Sequence, residues 1–76
     1  MLVLQVTNRT KLYFHLEEDT FPNKGGFFCR VYKDPNGEFP FADFTIDKRK
    51  LIGTDRVRTA NKLAVAKIKA LYNGVG

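Results

Sequence analysis

From Asp55 to Gly74 the sequence DRVRTANKLAVAKIKALYNG carries its apolar residues at helical spacing, with Val57, Ala60, Ala64, Ile68 and Leu71 on one stripe. A lone amphipathic helix must bury that stripe against another element, and nothing else in the chain has its period. What precedes it alternates with period two, so the partner is a sheet. Thr54 is a candidate N-cap for this helix and Gly74 a candidate C-terminal cap.

Four segments read as strands. In Leu2 to Thr7, Leu2, Leu4 and Val6 share one face; in Lys11 to Glu17, Leu12, Phe14 and Leu16 lie opposite Tyr13, His15 and Glu17. The polar link through Asn8 and Arg9 is short enough for a hairpin. A loop punctuated by Pro22, Asn23 and Gly25-Gly26 leads to a third strand, Phe27 to Lys33. DPNG then marks a tight turn: Asp34 bonds nearby backbone, Pro35 presets φ and Gly37 accepts positive φ. Glu38 to Ile46 returns as a fourth strand. Its apolar parity slips between Phe39/Phe41 and Phe44/Ile46, the signature of a bulge, and Pro40 donates no ladder bond. The expected fold is α+β, an antiparallel sheet of about four strands in two hairpins packed on one C-terminal helix, in β-β-β-β-α order.

A chain of 76 residues supports one compact domain over 1–76 and leaves little apolar surface to spare. Ten aromatics supply bulky burial. One cysteine cannot form an internal disulfide, and no apolar run nears the roughly 18 residues of a membrane span, which suits a cytoplasmic protein without a membrane partner. Met1 runs straight into LVLQV with no basic leader segment.

Charge is segregated. Residues 1 to 38 hold five cations and five anions; residues 39 to 76 hold eight cations against Asp43, Asp47 and Asp55, so the whole net charge of +5 lies in the second half. That asymmetry favours an anionic partner, whether nucleic acid (DNA or RNA), an anionic membrane surface or an acidic protein, and does not choose among them. On the helix, Arg58, Lys62 and Lys69 fall within roughly 40° of one another opposite the apolar stripe, with Arg56 and Lys67 nearer the core edge. Lys48, Arg49 and Lys50 stand in the turn before it. Beyond Asp55 the helix has no acid to form i,i+4 pairs. Lys48, Arg49, Lys50, Arg56, Arg58, Lys62 and Lys69 are therefore the expected phosphate contacts.

A second surface is expected on the sheet. If Phe27, Cys29 and Val31 face the helix, then Phe28, Arg30 and Tyr32 face outward beside Tyr13, and aromatics interleaved with Arg can stack on bases. KGGFFCRVY departs from the RNA-reading strand of the RRM at several positions, and a hairpin stands where an RRM has its first helix.

Two partial likenesses arise from longer stretches. Strands followed by a basic helix opening with RTANKLA resemble the second half of a double-stranded RNA-binding domain, which implies lysine contacts to duplex phosphates. The family's N-terminal helix and Gly-Pro-x-His loop have no counterpart here. Gly26 to Leu71, with its DPNGE turn and KLIGTDRV entering the helix, resembles the arm-binding domain at the start of some tyrosine recombinases, which implies a sheet entering the major groove.

Catalytic and metal chemistry find few residues. The chain has no Ser and one His, which excludes a Ser-His-Asp triad. Strand parity puts Cys29 and His15 on opposite faces, and no Cys/His spacing fits a metal site. There is no phosphate-cradling glycine loop between strand and helix. The expectation is a small non-enzymatic nucleic-acid-binding protein without cofactor or metal. The alternative is a compact protein-binding inhibitor or adaptor of phage or mobile-element type, blocking a host enzyme or defence complex through Tyr13, Phe28 and Tyr32. The first strand, if it lies at a sheet edge, also offers a route to a homodimer.

Overall fold

The computed structural model describes residues 1–53 and 55–75. Strands β1 (Leu2–Gln5), β2 (Lys11–Glu18), β3 (Phe27–Tyr32) and β4 (Pro40–Ile46) form one antiparallel sheet in the order β1-β2-β3-β4. A 3-10 turn (Lys48–Leu51) leads to the helix α1 (Arg56–Val75), an α+β arrangement. The alternation decides which face each strand buries. Leu12 and Phe14 of β2, Phe27, Cys29 and Val31 of β3, and Ile46 of β4 point inward and are buried. Against them α1 sets Ala60, Ala64 and Ile68, each fully buried, and Leu51 closes the core from the 3-10 turn. Two alanines at i and i+4 let the helix backbone approach closely, while Ile68 supplies bulk farther along.

The parity slip in the fourth strand is a bulge. Val31 pairs with Ala42 and Tyr32 with Pro40, so Phe41 is an extra residue on β4. Phe41 packs on the core, its ring 6.3 Å from that of Tyr72, while Phe39, before the strand, is exposed. Placing the irregularity at Pro40 removes no ladder bond that a regular strand would have kept.

The helix differs from expectation at both ends. Val57 belongs to the stripe by periodicity but is 65 % exposed, because the first turn of α1 projects beyond what the sheet covers. Gly74 does not end the helix, which continues to Val75. Thr54, the expected N-cap, lies outside the described residues. Asp55 does that work: its Oδ1 accepts from the Arg58 N–H at 3.2 Å and its carbonyl from Thr59 at 2.9 Å.

Side-chain oxygens and amides organise the loops. Thr7 Oγ1 accepts from the amides of Arg9 and Thr10, closing the first hairpin. Asp34 accepts from the amides of Asn36, Glu38 and Phe39 at 2.8 to 3.1 Å, and Gly37 takes φ +73°. The β2–β3 loop, which contains the cis Phe21–Pro22 bond, is fastened by Asn23. Its Nδ2 donates to Asp19 Oδ2 and to the Ile46 carbonyl, and its Oδ1 accepts from the Lys48 N–H. Gly26 sits where any Cβ would overlap the Ile46 carbonyl and the Asn23 side chain. One asparagine thus ties the loop to the end of β4 and the start of the 3-10 turn.

Two measurements test this frame. Asn23→Ala strips hydrogen bonds from a half-buried corner and is expected to cost about 2 kcal/mol in urea unfolding. Desolvation pushes the Asp34 carboxyl up, but the amides of Phe39, Glu38 and Asn36 outweigh it and hold the group below its ordinary value. The folded value is therefore the lower one, so the stabilisation is complete above the unfolded value of about 3.9 and is lost as pH falls through the folded one. The melting-temperature gap between the native chain and Asp34→Asn should hold steady near neutral pH and shrink below about pH 4.

Candidate nucleic-acid interface

Three segments meet at the corner that Asn23 fastens: the β2–β3 loop, the 3-10 turn and the first turn of α1. Lys48 Nζ donates to the Pro22 carbonyl at 3.2 Å, and Arg56 Nη2 to the Gly25 carbonyl at 2.8 Å. Each bond fixes a long side chain yet uses one donor of an ammonium that has three and of a guanidinium that has five. Between them opens a shallow cleft of about 640 Å³, walled by Lys48, Arg49, Arg56, Ile52 and Asp55.

Arg49 is held differently from its neighbours. Its Nε and Nη2 fork onto Asp47 at 3.1 and 2.8 Å, while Asp47 also caps the 3-10 turn through the Arg49 amide at 2.9 Å. The guanidinium, with help from that amide, drives the Asp47 carboxyl far below the usual carboxylate range, and Asp47 in turn raises Arg49. Of the expected phosphate contacts, Arg49 is thus the one whose charge is already matched.

Arg58, Lys62 and Lys69 are exposed on α1, away from the buried stripe. Among the described residues, the ion pairs are Arg49–Asp47 and Arg30–Glu17, so Lys48, Lys50, Arg56, Arg58, Lys62 and Lys69 have no acidic partner. A second shallow cleft of about 570 Å³ runs between Arg58 and Lys62 and the apolar Val57 and Val65. Asn61 lines it, with a buried side-chain oxygen that has no hydrogen-bond partner among the described residues.

The outer face of the sheet assembles as the alternation requires. Tyr13 pairs with Tyr32, His15 with Arg30 and Glu17 with Phe28 across β2 and β3. The Arg30 guanidinium lies 5.3 Å from the Phe28 ring centroid and 3.9 Å from Glu17. Asp43 pairs with Arg30 from β4, so acids match the bases on this face. The aromatic group and the helix cations lie on opposite sides of the sheet. They are not parts of one concave site.

Other surface features were not legible in the chain. Phe21 is 88 % and Ile52 81 % exposed, and with Val57 they stand around the basic corner. Phe21 is joined to Pro22, which Lys48 grips, and Ile52 walls the first cleft. Both lie in irregular segments where periodicity carries no information. Lys24 is a further exposed cation in the same loop. Cys29 is fully buried on the inner face and His15 is exposed on the outer one, so they form no pair.

No protein-family model, curated protein or solved structure significantly matches this chain.

Burial pushes the Cys29 thiol up to about 11. Only the thiolate reacts, so a disulfide reagent at pH 8 should leave the native protein unlabelled and modify one thiol per chain in guanidinium. Rapid labelling of the native protein would reverse the assignment of faces on β3.

Proposed function

We propose that this protein binds nucleic acid through the corner and helix face built from Lys48, Lys50, Arg56, Arg58, Lys62 and Lys69, with Arg49 positioned at its rim. The observation that carries the reading is that these cations come from two adjoining segments, the 3-10 turn and α1, without acidic partners among the described residues, while residues 1 to 38 carry no net charge. Phosphate is the ligand such a surface suits. Lys48 and Arg56 are ordered before a ligand arrives, so little side-chain entropy is lost when their remaining donors engage phosphate oxygens. The helical rise spreads Arg58 to Lys69 over about 16 Å, enough to follow several phosphates. The contacts are with the backbone and carry no base specificity.

A second reading rests on a separate observation. The outer sheet face is electrically matched, and Tyr13, Phe28 and Tyr32 stand half-buried on it. Such a surface suits a protein target, whose anchors are commonly aromatic. In that case the chain acts as an inhibitor or adaptor. Tyr32→Ala should abolish the complex and Arg58→Ala should spare it.

Fluorescence anisotropy with labelled single-stranded and duplex DNA and RNA tests the first reading. Affinity should fall linearly on a log-log plot against salt. The Arg58→Ala/Lys62→Ala variant should weaken every sequence alike, and its slope should drop by roughly 0.7 to 0.9 for each contact removed. Its circular dichroism should match the native chain, since both side chains are exposed. Binding that ignores salt would remove the electrostatic basis.

A further inference from the structure

The two edges of the sheet are unlike. β4 carries Pro40, the bulged Phe41 and the exposed Asp43, and Lys50 and Lys67 flank its inner side. Each of these discourages another strand from adding there. β1, with the sequence LVLQ, has no charge, no proline and no bulge. Leu2 and Val3, 46 % and 58 % exposed, continue from Met1, 59 % exposed just before the strand, as an exposed apolar run.

Hydrogen-bond alternation tells which backbone groups that edge displays. The Val6 N–H bonds the Thr10 carbonyl at 3.0 Å at the mouth of the hairpin, and the register then sets Leu4 against Leu12 and Leu2 against Phe14. Bonded pairs recur at every second residue, so Leu4 and Leu2 turn their amides and carbonyls toward β2. Those of Val3 and Gln5 point away from the sheet. They form an unused ladder, and the group that fits it is another extended strand.

The order of residues says which strand. Leu2-Val3-Leu4 reads the same in both directions, so two copies of β1 can meet antiparallel about a two-fold axis at Val3. Val3 of each copy then faces Val3 of the other, Leu2 faces Leu4, and Met1 faces Gln5. The leucines, of which Leu2 is nearly half exposed on the inner face, become a four-leucine cluster that continues both cores. The helix cations, which would repel a second copy, belong to an element that lies chiefly over β3 and β4.

We propose that the chain pairs with a second copy of itself through β1, joining the two four-stranded sheets into one. The two-fold axis of such a pairing runs normal to the sheet, so both helices lie on the same side. The inference stands whether or not the partner of those helices is nucleic acid.

Sedimentation equilibrium with rising protein concentration is the test. The mass should climb from 8.7 kDa toward twice that value. Val3→Lys, at an exposed position, sets two ammoniums face to face on the axis and should shift dimerisation several-fold to higher concentration with an unchanged dichroism spectrum. Val3→Cys provides a second line of evidence: a bonded antiparallel pair has its Cα atoms about 5.5 Å apart, within disulfide range, and buried Cys29 does not compete. Mild oxidation should give a covalent dimer, whereas Thr45→Cys on the outer face of β4 should stay monomeric. A monomer at every concentration, a dimer that Val3→Lys leaves intact, or equal cross-linking of the two cysteine variants would overturn the proposal.

Discussion

The contact between α1 and the inner face of the sheet is the constraint on which the rest depends. Ala60 and Ala64 have almost no side chain to hold the helix off β3, where Cys29 and Val31 are completely buried. In so small a chain there is no second layer to compensate for a gap, so close approach at this seam stands in for volume. It also orients everything else on the helix. Once three residues of the stripe are pinned, Arg58, Lys62 and Lys69 have no choice but solvent.

The corner at Asn23 converts that frame into a surface. The bonds that join Asn23 to the Ile46 carbonyl and the Lys48 amide hold the β2–β3 loop against the start of the 3-10 turn. With them, carbonyls of the loop become seats for Lys48 and Arg56. The same arrangement separates two kinds of chemistry: positive charge without acidic partners among the described residues gathers on the helix side, and aromatic area balanced by acids and bases covers the other. The sheet stands between them, and a ligand reaching both would have to wrap around it.

The treatment of the sheet edges follows the same economy. A bulge and a proline blunt β4 where the basic turn and helix crowd it, and β1 is left plain. The hairpin register leaves Val3 and Gln5 backbone groups facing outward, so the plain edge is also the one with bonding capacity.

Much of this was written in the chain. Period two in four segments and period 3.6 in one, together with the polar link at Asn8-Arg9 and the DPNG turn, give the element order and divide the third strand into two sets, Phe27, Cys29 and Val31 against Phe28, Arg30 and Tyr32; packing then shows that the first set is the buried one. The side-chain period of each element is a local property of the backbone, so the chain alone reveals which residues share a face. The slip around Pro40 already announced the bulge. Tertiary structure decided what depends on distance between segments remote in sequence. Val57 obeys the helical period yet lies in solvent, because a helix of 20 residues outruns strands of six to eight. Arg49 looked like Lys48 and Lys50 in the chain, but it folds back onto Asp47 and gives its charge away. Asn23 read only as a loop residue, though its side chain joins segments 23 and 25 residues apart. Phe21 and Ile52 flank the basic corner for the same reason: periodicity reports the face a residue takes within its own element, and only packing brings different elements together.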